Sequence, residues 1–181
     1  MTNQITDTVV YEGDDYSVIE TDRYQLAGGG LATPAQFGMS ATKMHTACHR
    51  GHFSVYELTE GALYLREMTL LARDGNYLPI AGVMPAVNED LCATYLGLRI
   101  SIPASGKFRL ARDFDSERYL RLYNQSGREP QASGFNVVLD IVLKDGALTG
   151  VVDRSGEAWQ GLDHLNTTPR STKLRNYLDN L

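Results

Sequence analysis

Short apolar runs separated by closely spaced turn signals are the feature that most constrains the fold of this chain. Gly, Pro, Asn and Asp recur a few residues apart between these runs. Parallel strands need crossover connections of a dozen or more residues, and this spacing leaves no space for crossover helices. The pattern predicts an α+β fold that is predominantly antiparallel β, as a barrel or a sandwich. The predicted strands are 53–58, 62–70, 97–102, 107–112 and 136–143.

The alternation of apolar and polar residues is clearest on either side of the loop 103–106. Apolar residues occupy every second position from 98 to 102 and again from 108 to 110. This alternation predicts a hairpin of two half-buried strands joined by that loop. Arg99 and Arg109 would then project from the same polar side of the hairpin.

Three helices are predicted, two of them short. Thr33-Pro34-Ala35-Gln36 has the form of a capping box with proline at the first helical position, and Gly38 ends that helix. Asp115 or Ser116 can cap a second helix. A C-terminal helix is predicted by apolar residues at helical spacing, which are Leu174, Tyr177, Leu178 and Leu181.

Length and composition indicate a single domain over residues 1–181. A chain of 181 residues buries enough surface to fold without disulfides, and 43% hydrophobic with 22% charged residues is ordinary for globular proteins. Residues 1–13 are mostly polar with an apolar patch at 9–11, which predicts a loose start or an edge strand. The similar turns at 59–63 and 144–148 are compatible with an internal duplication or with chance, because acid-Gly turns are common in hairpins.

Charge and hydropathy exclude two classes of partner. The net charge of −5 and the pI near 5.3 argue against nucleic acid, which requires clustered Lys and Arg. The sequence has neither an apolar run long enough to span a membrane nor a signal peptide, so we expect a cytoplasmic protein. Cys48 and Cys92 are then expected to be reduced core residues.

Several short motifs resemble a family of uncharacterised bacterial proteins. They lie between residues 42 and 156 and follow the pattern TxCxRG, YEL, LYLRE, IAGV and RLARDF. The chain departs from the family pattern at His49 and His52, where aromatic residues often stand, and at residues 124–127. The resemblance implies a bacterial single-domain protein and assigns it no chemistry.

The histidine segment, residues 45–52, is the sharpest candidate for a metal site. On a helix, His45, Cys48, His49 and His52 would share one face and offer ligands suited to Zn or Cu. On a strand, His45 and His49 would face away from Cys48 and His52. Because apolar β-type residues follow Gly51, we predict the strand, with no metal and no cofactor; a site of His45, His49 and His52 is the less favoured alternative.

Arginines provide the other candidate site. Arg50 lies in an otherwise apolar and aromatic run, where a guanidinium must find a carboxylate or reach solvent. We expect Arg50 to form a structural or, second, a ligand-orienting salt bridge, near the hairpin that carries Arg99 and Arg109. The predicted ligand-binding residues, for an anionic group, are His45, Cys48, Arg50, Arg99 and Arg109.

No spacing in the sequence matches an established catalytic motif, so no catalytic residue is predicted. Two functions stay open. The first is a non-enzymatic interaction protein, such as an inhibitor or immunity-type partner of another protein, favoured by acidity, modest size and ten tyrosines. The alternative is a small enzyme or ligand carrier that holds an anionic small molecule inside a barrel. Sequence leaves the oligomeric state open.

Overall fold

The structure, a computed structural model, describes residues 4–21, 31–126 and 131–155. These residues form one helix, α1 (Ser116–Ser126), and two 3₁₀ helices, Pro34–Phe37 and Gln131–Gly134. The predicted C-terminal helix lies outside the described residues. The strands are β1 (Thr8–Tyr11), β2 (Asp14–Thr21), β3 (His52–Leu58), β4 (Leu63–Leu70), β5 (Ala86–Val87), β6 (Ala93–Tyr95), β7 (Ile100–Ser101), β8 (Gly106–Phe114), β9 (Phe135–Lys144) and β10 (Ala147–Asp153).

All ten strands belong to one mainly antiparallel sheet. Its order is β10-β9-β8-β2-β1-β3-β4-β6-β5, with β7 paired to β4, and among the described strands only β1 and β3 are parallel. The sheet is not closed, so the structure is a sandwich and the barrel alternative is wrong. The strands on either side of β1 form the two halves of the sheet, and both halves contribute to one apolar cluster. The cluster includes Val18, Leu110 and Ile141 from one half and Tyr56, Leu65 and Tyr95 from the other.

The hairpin predicted around residues 103–106 is wrong. Leu98 donates its N–H to the carbonyl of Arg66, and Ile102 donates to that of Leu63, so residues 98–102 lie along β4. The following strand, β8, pairs with β2 on one side and β9 on the other. The alternation correctly indicated which side chains are buried, but burial of one face does not determine the neighbouring strand.

Residues 8–11, within the segment predicted to be a loose start or an edge strand, form the internal strand β1, so that prediction is wrong there. β1 pairs antiparallel with β2 and parallel with β3. A tight turn at Glu12 and Gly13, both with positive φ, allows β2 to fold back along β1. β1 thus joins the two halves of the sheet, and its Val9 is fully buried.

The two short helices begin where the sequence predicted. Gln36 Oε1 accepts the Thr33 N–H at 3.0 Å, and Gly38 has the left-handed φ of 76° that ends the first helix. Asp115 Oδ1 accepts the Arg118 N–H at 2.9 Å at the start of α1. Within the described ranges, no helix is long and apolar enough to cross a membrane.

The two similar turns lie against each other. The β3–β4 and β9–β10 hairpins are both antiparallel, and Leu148 donates its N–H to the Glu60 carbonyl at 3.2 Å. One hairpin is inside the sheet and the other is at its edge, so their environments differ.

Candidate functional site

The histidine segment forms a compact turn before β3. Cys48 donates its N–H to the His45 carbonyl at 3.0 Å, and Met44 donates to the Cys48 carbonyl at 3.1 Å. Gly51 has a φ of 74°, and a Cβ built on it would lie 1.9 Å from the Thr42 carbonyl oxygen. No other residue fits at position 51 without moving the backbone.

This turn divides the four candidate metal ligands into two pairs. His45 and His49 are exposed, whereas Cys48 and His52 are buried. The strand begins only at His52, so the predicted strand over the whole segment is wrong. The turn nevertheless separates His45 and His49 from Cys48 and His52, which is the division that the strand predicted. Among the described residues, no group of three or more His, Cys, Asp or Glu side chains is placed to hold a metal ion.

Arg50 forms a buried ion pair with Asp7, a residue that the sequence did not single out. Arg50 Nη2 lies 2.6 Å from Asp7 Oδ1, and Arg50 Nε donates to the His52 carbonyl at 2.7 Å. Asp7 Oδ1 also accepts the Ser54 N–H at 2.9 Å, and the Asp7 side chain is only 3% exposed. Burial raises the pKa of Asp7, and the Arg50 charge opposes that rise. The contacts are those of a structural pair that ties the start of the chain to β3.

His52 is a buried neutral base beside this pair. Its Nδ1 lies 3.1 Å from the Arg50 carbonyl, so Nδ1 carries the proton and donates it. Its Nε2 is buried without a hydrogen-bond partner in the described part of the chain. Burial lowers the pKa of His52, since no shell of water stabilises the imidazolium there.

Arg109 belongs to a second ionic cluster on a different part of the sheet. Its Nε and Nη2 contact the two oxygens of Asp140 at 2.6 and 3.0 Å, and its Nη1 reaches Glu20 at 3.0 Å. Arg154 Nε contacts the same Asp140 at 3.3 Å. The hydrogen bond to Asp140 is the main cause that raises the pKa of Arg109. The chain's own carboxylates therefore neutralise the guanidinium predicted to bind an outside anion.

The predicted ligand-binding residues do not share a common partner. The Arg99 guanidinium lies 4.8 Å from the centre of the Tyr64 ring, a cation–π contact on β4. Arg50 is bound to Asp7 and Arg109 to Asp140, while His45 is exposed and Cys48 is buried. The carboxylates in these pairs, Asp7 and Asp140, were not predicted as the partners of Arg50 and Arg109, because they are distant from them in sequence.

A different feature stands out on the surface. Of the ten exposed large apolar side chains among the described residues, five lie between residues 78 and 96, around β5 and β6, with exposed fractions from 38% to 66%. We call this group the edge surface because β5 is the last strand of the sheet. Its members do not alternate, so strand periodicity gave no signal for it. They are Leu78, Met84, Val87, Leu91 and Leu96.

No protein-family model, no curated protein and no solved structure matches this chain. The resemblance to a family of uncharacterised bacterial proteins therefore stays a prediction.

Proposed function

We propose that this protein is a non-enzymatic binding domain that recognises another protein through the edge surface. The observation that carries the proposal is the concentration of five exposed large apolar side chains around the last strand of the sheet. Single exposed apolar residues are normal, whereas a group of them is typical of an interaction site.

The ion pairs of the candidate arginines also favour a protein-binding function over a carrier of an anionic small molecule. A ligand carrier of the expected kind needs a closed barrel with free arginines inside it. The sheet is open, and Arg50 and Arg109 are bound by buried carboxylates of the same chain. An anionic small molecule would have to displace those carboxylates, which leaves a buried charge unpaired.

The proposed partner is a protein because of the chemistry of the edge surface. Its five members are Leu, Met and Val side chains, which gain free energy by leaving water but do not hold a small anion. An inhibitor or immunity-type protein of the cytoplasm, as the sequence predicts, fits this surface. It binds its target and does not transform it.

Photo-crosslinking tests the proposal in cells that contain the protein at its natural level. A photoreactive amino acid is placed at Val87, which is 50% exposed on β5, and in a control at Val151, which is 41% exposed on β10. We expect protein adducts from position 87 and none from position 151. Absence of adducts at 87, or equal adducts at both positions, would contradict the proposal.

A further inference from the structure

We infer that Leu91 determines which protein binds the edge surface, and that the partner offers an apolar pocket for this side chain with Lys or Arg on the rim. The inference rests on the proposed function, because it names the chemistry of the protein that the edge surface binds. Three observations carry it: the backbone conformation of Leu91, the hydrogen bonds that fix its loop, and the two acidic residues that precede it.

Leu91 has a backbone conformation that leucine rarely adopts. The loop that joins β5 to β6 turns over residues 89–91. Asn88 donates its N–H to the Cys92 carbonyl at 3.0 Å, and Leu91 donates to the Asn88 carbonyl at 3.1 Å. In a three-residue hairpin loop of this kind the last residue is left-handed, a conformation that suits glycine. Leu91 holds this position with a φ of 62°, which is costly for a residue with a Cβ.

The fold of this chain gives no reason for a leucine at position 91. Its side chain is 66% exposed, the most of any large apolar side chain in the described ranges, so core packing does not offset the backbone cost. Glycine would adopt the same conformation without strain. Strained residues of this kind are concentrated at functional sites. We therefore expect the Leu91 side chain to be buried by a partner.

The loop holds Leu91 in one place. The Tyr77 hydroxyl donates to the Leu91 carbonyl, and Asn88 Oδ1 accepts the Cys92 N–H at 2.8 Å. Because the loop is already fixed, a partner that binds it does not have to order it. A single branched side chain on a fixed loop loses most of its contact with water in a concave apolar site, so the partner should offer a pocket.

Two carboxylates determine the charge of that pocket's rim. Glu89 and Asp90 directly precede Leu91 and are exposed. Within the described part of the chain, neither residue forms an ion pair. A partner that covers Leu91 approaches both carboxylates, and an acidic rim would repel them whereas an apolar rim would leave them without water. Lys or Arg side chains compensate both, and the net charge of −5 favours the approach of such a partner.

The short β5 strand makes side chains, and not backbone pairing, the means of recognition. β5 consists of two residues, Ala86 and Val87, and follows Pro85, which has no N–H. Short edge strands and proline protect a sheet edge from the addition of another strand. The partner therefore binds the loop that follows β5 through the side chains of residues 89–91.

The test of Leu91 uses the full chain with the photoreactive amino acid at position 87, in cells that contain it at its natural level. The measured quantity is the yield of protein adducts. L91A and L91G remove the side chain that fills the pocket, so each should lower the yield at least about tenfold. V151A shortens an exposed apolar side chain on β10 and should leave the yield unaltered.

The charge of the rim is tested with the same readout. The double variant E89Q/D90N keeps the shape of both side chains and removes their charge, so the yield should fall at least about threefold. The control D15N/E117Q removes two exposed carboxylates elsewhere and should not change it. Mass spectrometry of the adduct locates the crosslinked peptide, which should lie on a surface of the partner that carries Lys or Arg.

Thermal unfolding of the purified chain separates loss of binding from loss of folding. L91G relieves the left-handed strain and should raise the melting temperature by about 2–4 °C, whereas L91A keeps a Cβ and should not raise it. A81G relieves a positive φ of 48° at another exposed turn and gives the size of that gain. A variant that is more stable but forms fewer adducts has lost a contact with the partner.

The outcomes distinguish this inference from the proposed function. Adducts that L91A and L91G leave unchanged overturn the inference and leave the proposed function intact, as do adducts that V151A reduces equally. A yield that E89Q/D90N does not lower, or a crosslinked surface without Lys or Arg, overturns the basic rim. A lower melting temperature of L91G would show that the side chain supports the fold and would also overturn the inference. A parent chain without adducts contradicts both proposals.

Discussion

Asp7 and Asp140 are both buried carboxylates bound by arginine, yet their surroundings differ. Asp7 lies before β1, is 3% exposed at its side chain, and binds Arg50 and the Ser54 N–H. Asp140 lies on β9, is 10% exposed, and binds both Arg109 and Arg154. The first is a single pair that joins parallel neighbours, and the second is a network on antiparallel strands.

The difference shows what determines how much a buried ion pair contributes to the stability of the folded chain. Removing one member of a single pair leaves the other charge buried without compensation, whereas a network offers a substitute. Glu20, which is half-exposed, gives Arg109 such a substitute, and Arg154 gives one to Asp140. We therefore expect the Asp7 pair to contribute more to stability than any one contact of the Asp140 cluster.

The largest effect is expected for Asp7→Ala. It leaves Arg50 without its carboxylate and the Ser54 N–H without an acceptor, so the free energy of unfolding should fall by about 3–5 kcal/mol. Asp140→Ala, the matched change, should lower it by about 1.5–3 kcal/mol because Arg109 keeps Glu20. Urea unfolding of both variants measures the two values. An equal loss, or a larger loss for Asp140→Ala, would contradict the expectation that the Asp7 pair contributes more to stability.

A smaller effect that depends on pH is expected for Arg50→Met, which should lose about 3 kcal/mol at pH 7. Arg50 lowers the pKa of Asp7 in the folded chain, so its removal raises that pKa further above the unfolded value. The folded variant then binds a proton more readily than the unfolded chain, and its stability rises as the pH falls through the folded pKa. The deficit relative to wild type should narrow from pH 7 to pH 5.

Arg109→Met is the control for that pH effect. Arg154 stays on Asp140, so we expect a loss of about 1 kcal/mol. The loss should change little between pH 7 and pH 5. Urea unfolding at both pH values measures the stability of each variant relative to wild type. If the stability difference between wild type and Arg50→Met does not narrow from pH 7 to pH 5, Asp7 does not take up the proton.

The last expected effect concerns His52 and appears only as the pH falls; burial lowers the pKa of this side chain. The unfolded chain binds a proton near the ordinary histidine pKa and the folded chain does not, so stability is lost as the pH falls below about 6.5. His52→Asn keeps a donor toward the Arg50 carbonyl but does not titrate. The free energy of unfolding of this variant should therefore fall less steeply with decreasing pH than that of wild type, by up to about 1.4 kcal/mol per pH unit. His45→Asn, at an exposed position, controls for loss of an imidazole. Thermal unfolding at pH 7, 6 and 5 gives the comparison; identical slopes for wild type and His52→Asn would refute it.

Local features were predictable because their causes lie within a few residues. The capping box at Thr33 and Gln36 and the start of α1 depend on side chains that reach their own helix. β3, β4, β8 and β9 were predicted from apolar residues at strand spacing. Burial alternates strictly along β3, whereas residues 138–143 of β9 are all buried. The turn that ends at Gly51 was not predicted, because the segment was expected to be a strand and the close approach of Gly51 to Thr42 joins residues from different turns of the chain.

Local sequence patterns were sufficient to predict a mainly antiparallel sheet and the apolar side chains of β3 and β8 that face the core, since alternation and turn spacing are local properties. The pairing of β7 with β4, the ion pair of Arg50 with Asp7 and the place of β5 at the end of the sheet arise from tertiary packing. Those features join residues that are distant along the chain, such as Asp7 and Arg50. Period-two patterning specifies a face for each strand but not its neighbour, so the pairings follow from packing of the whole sheet.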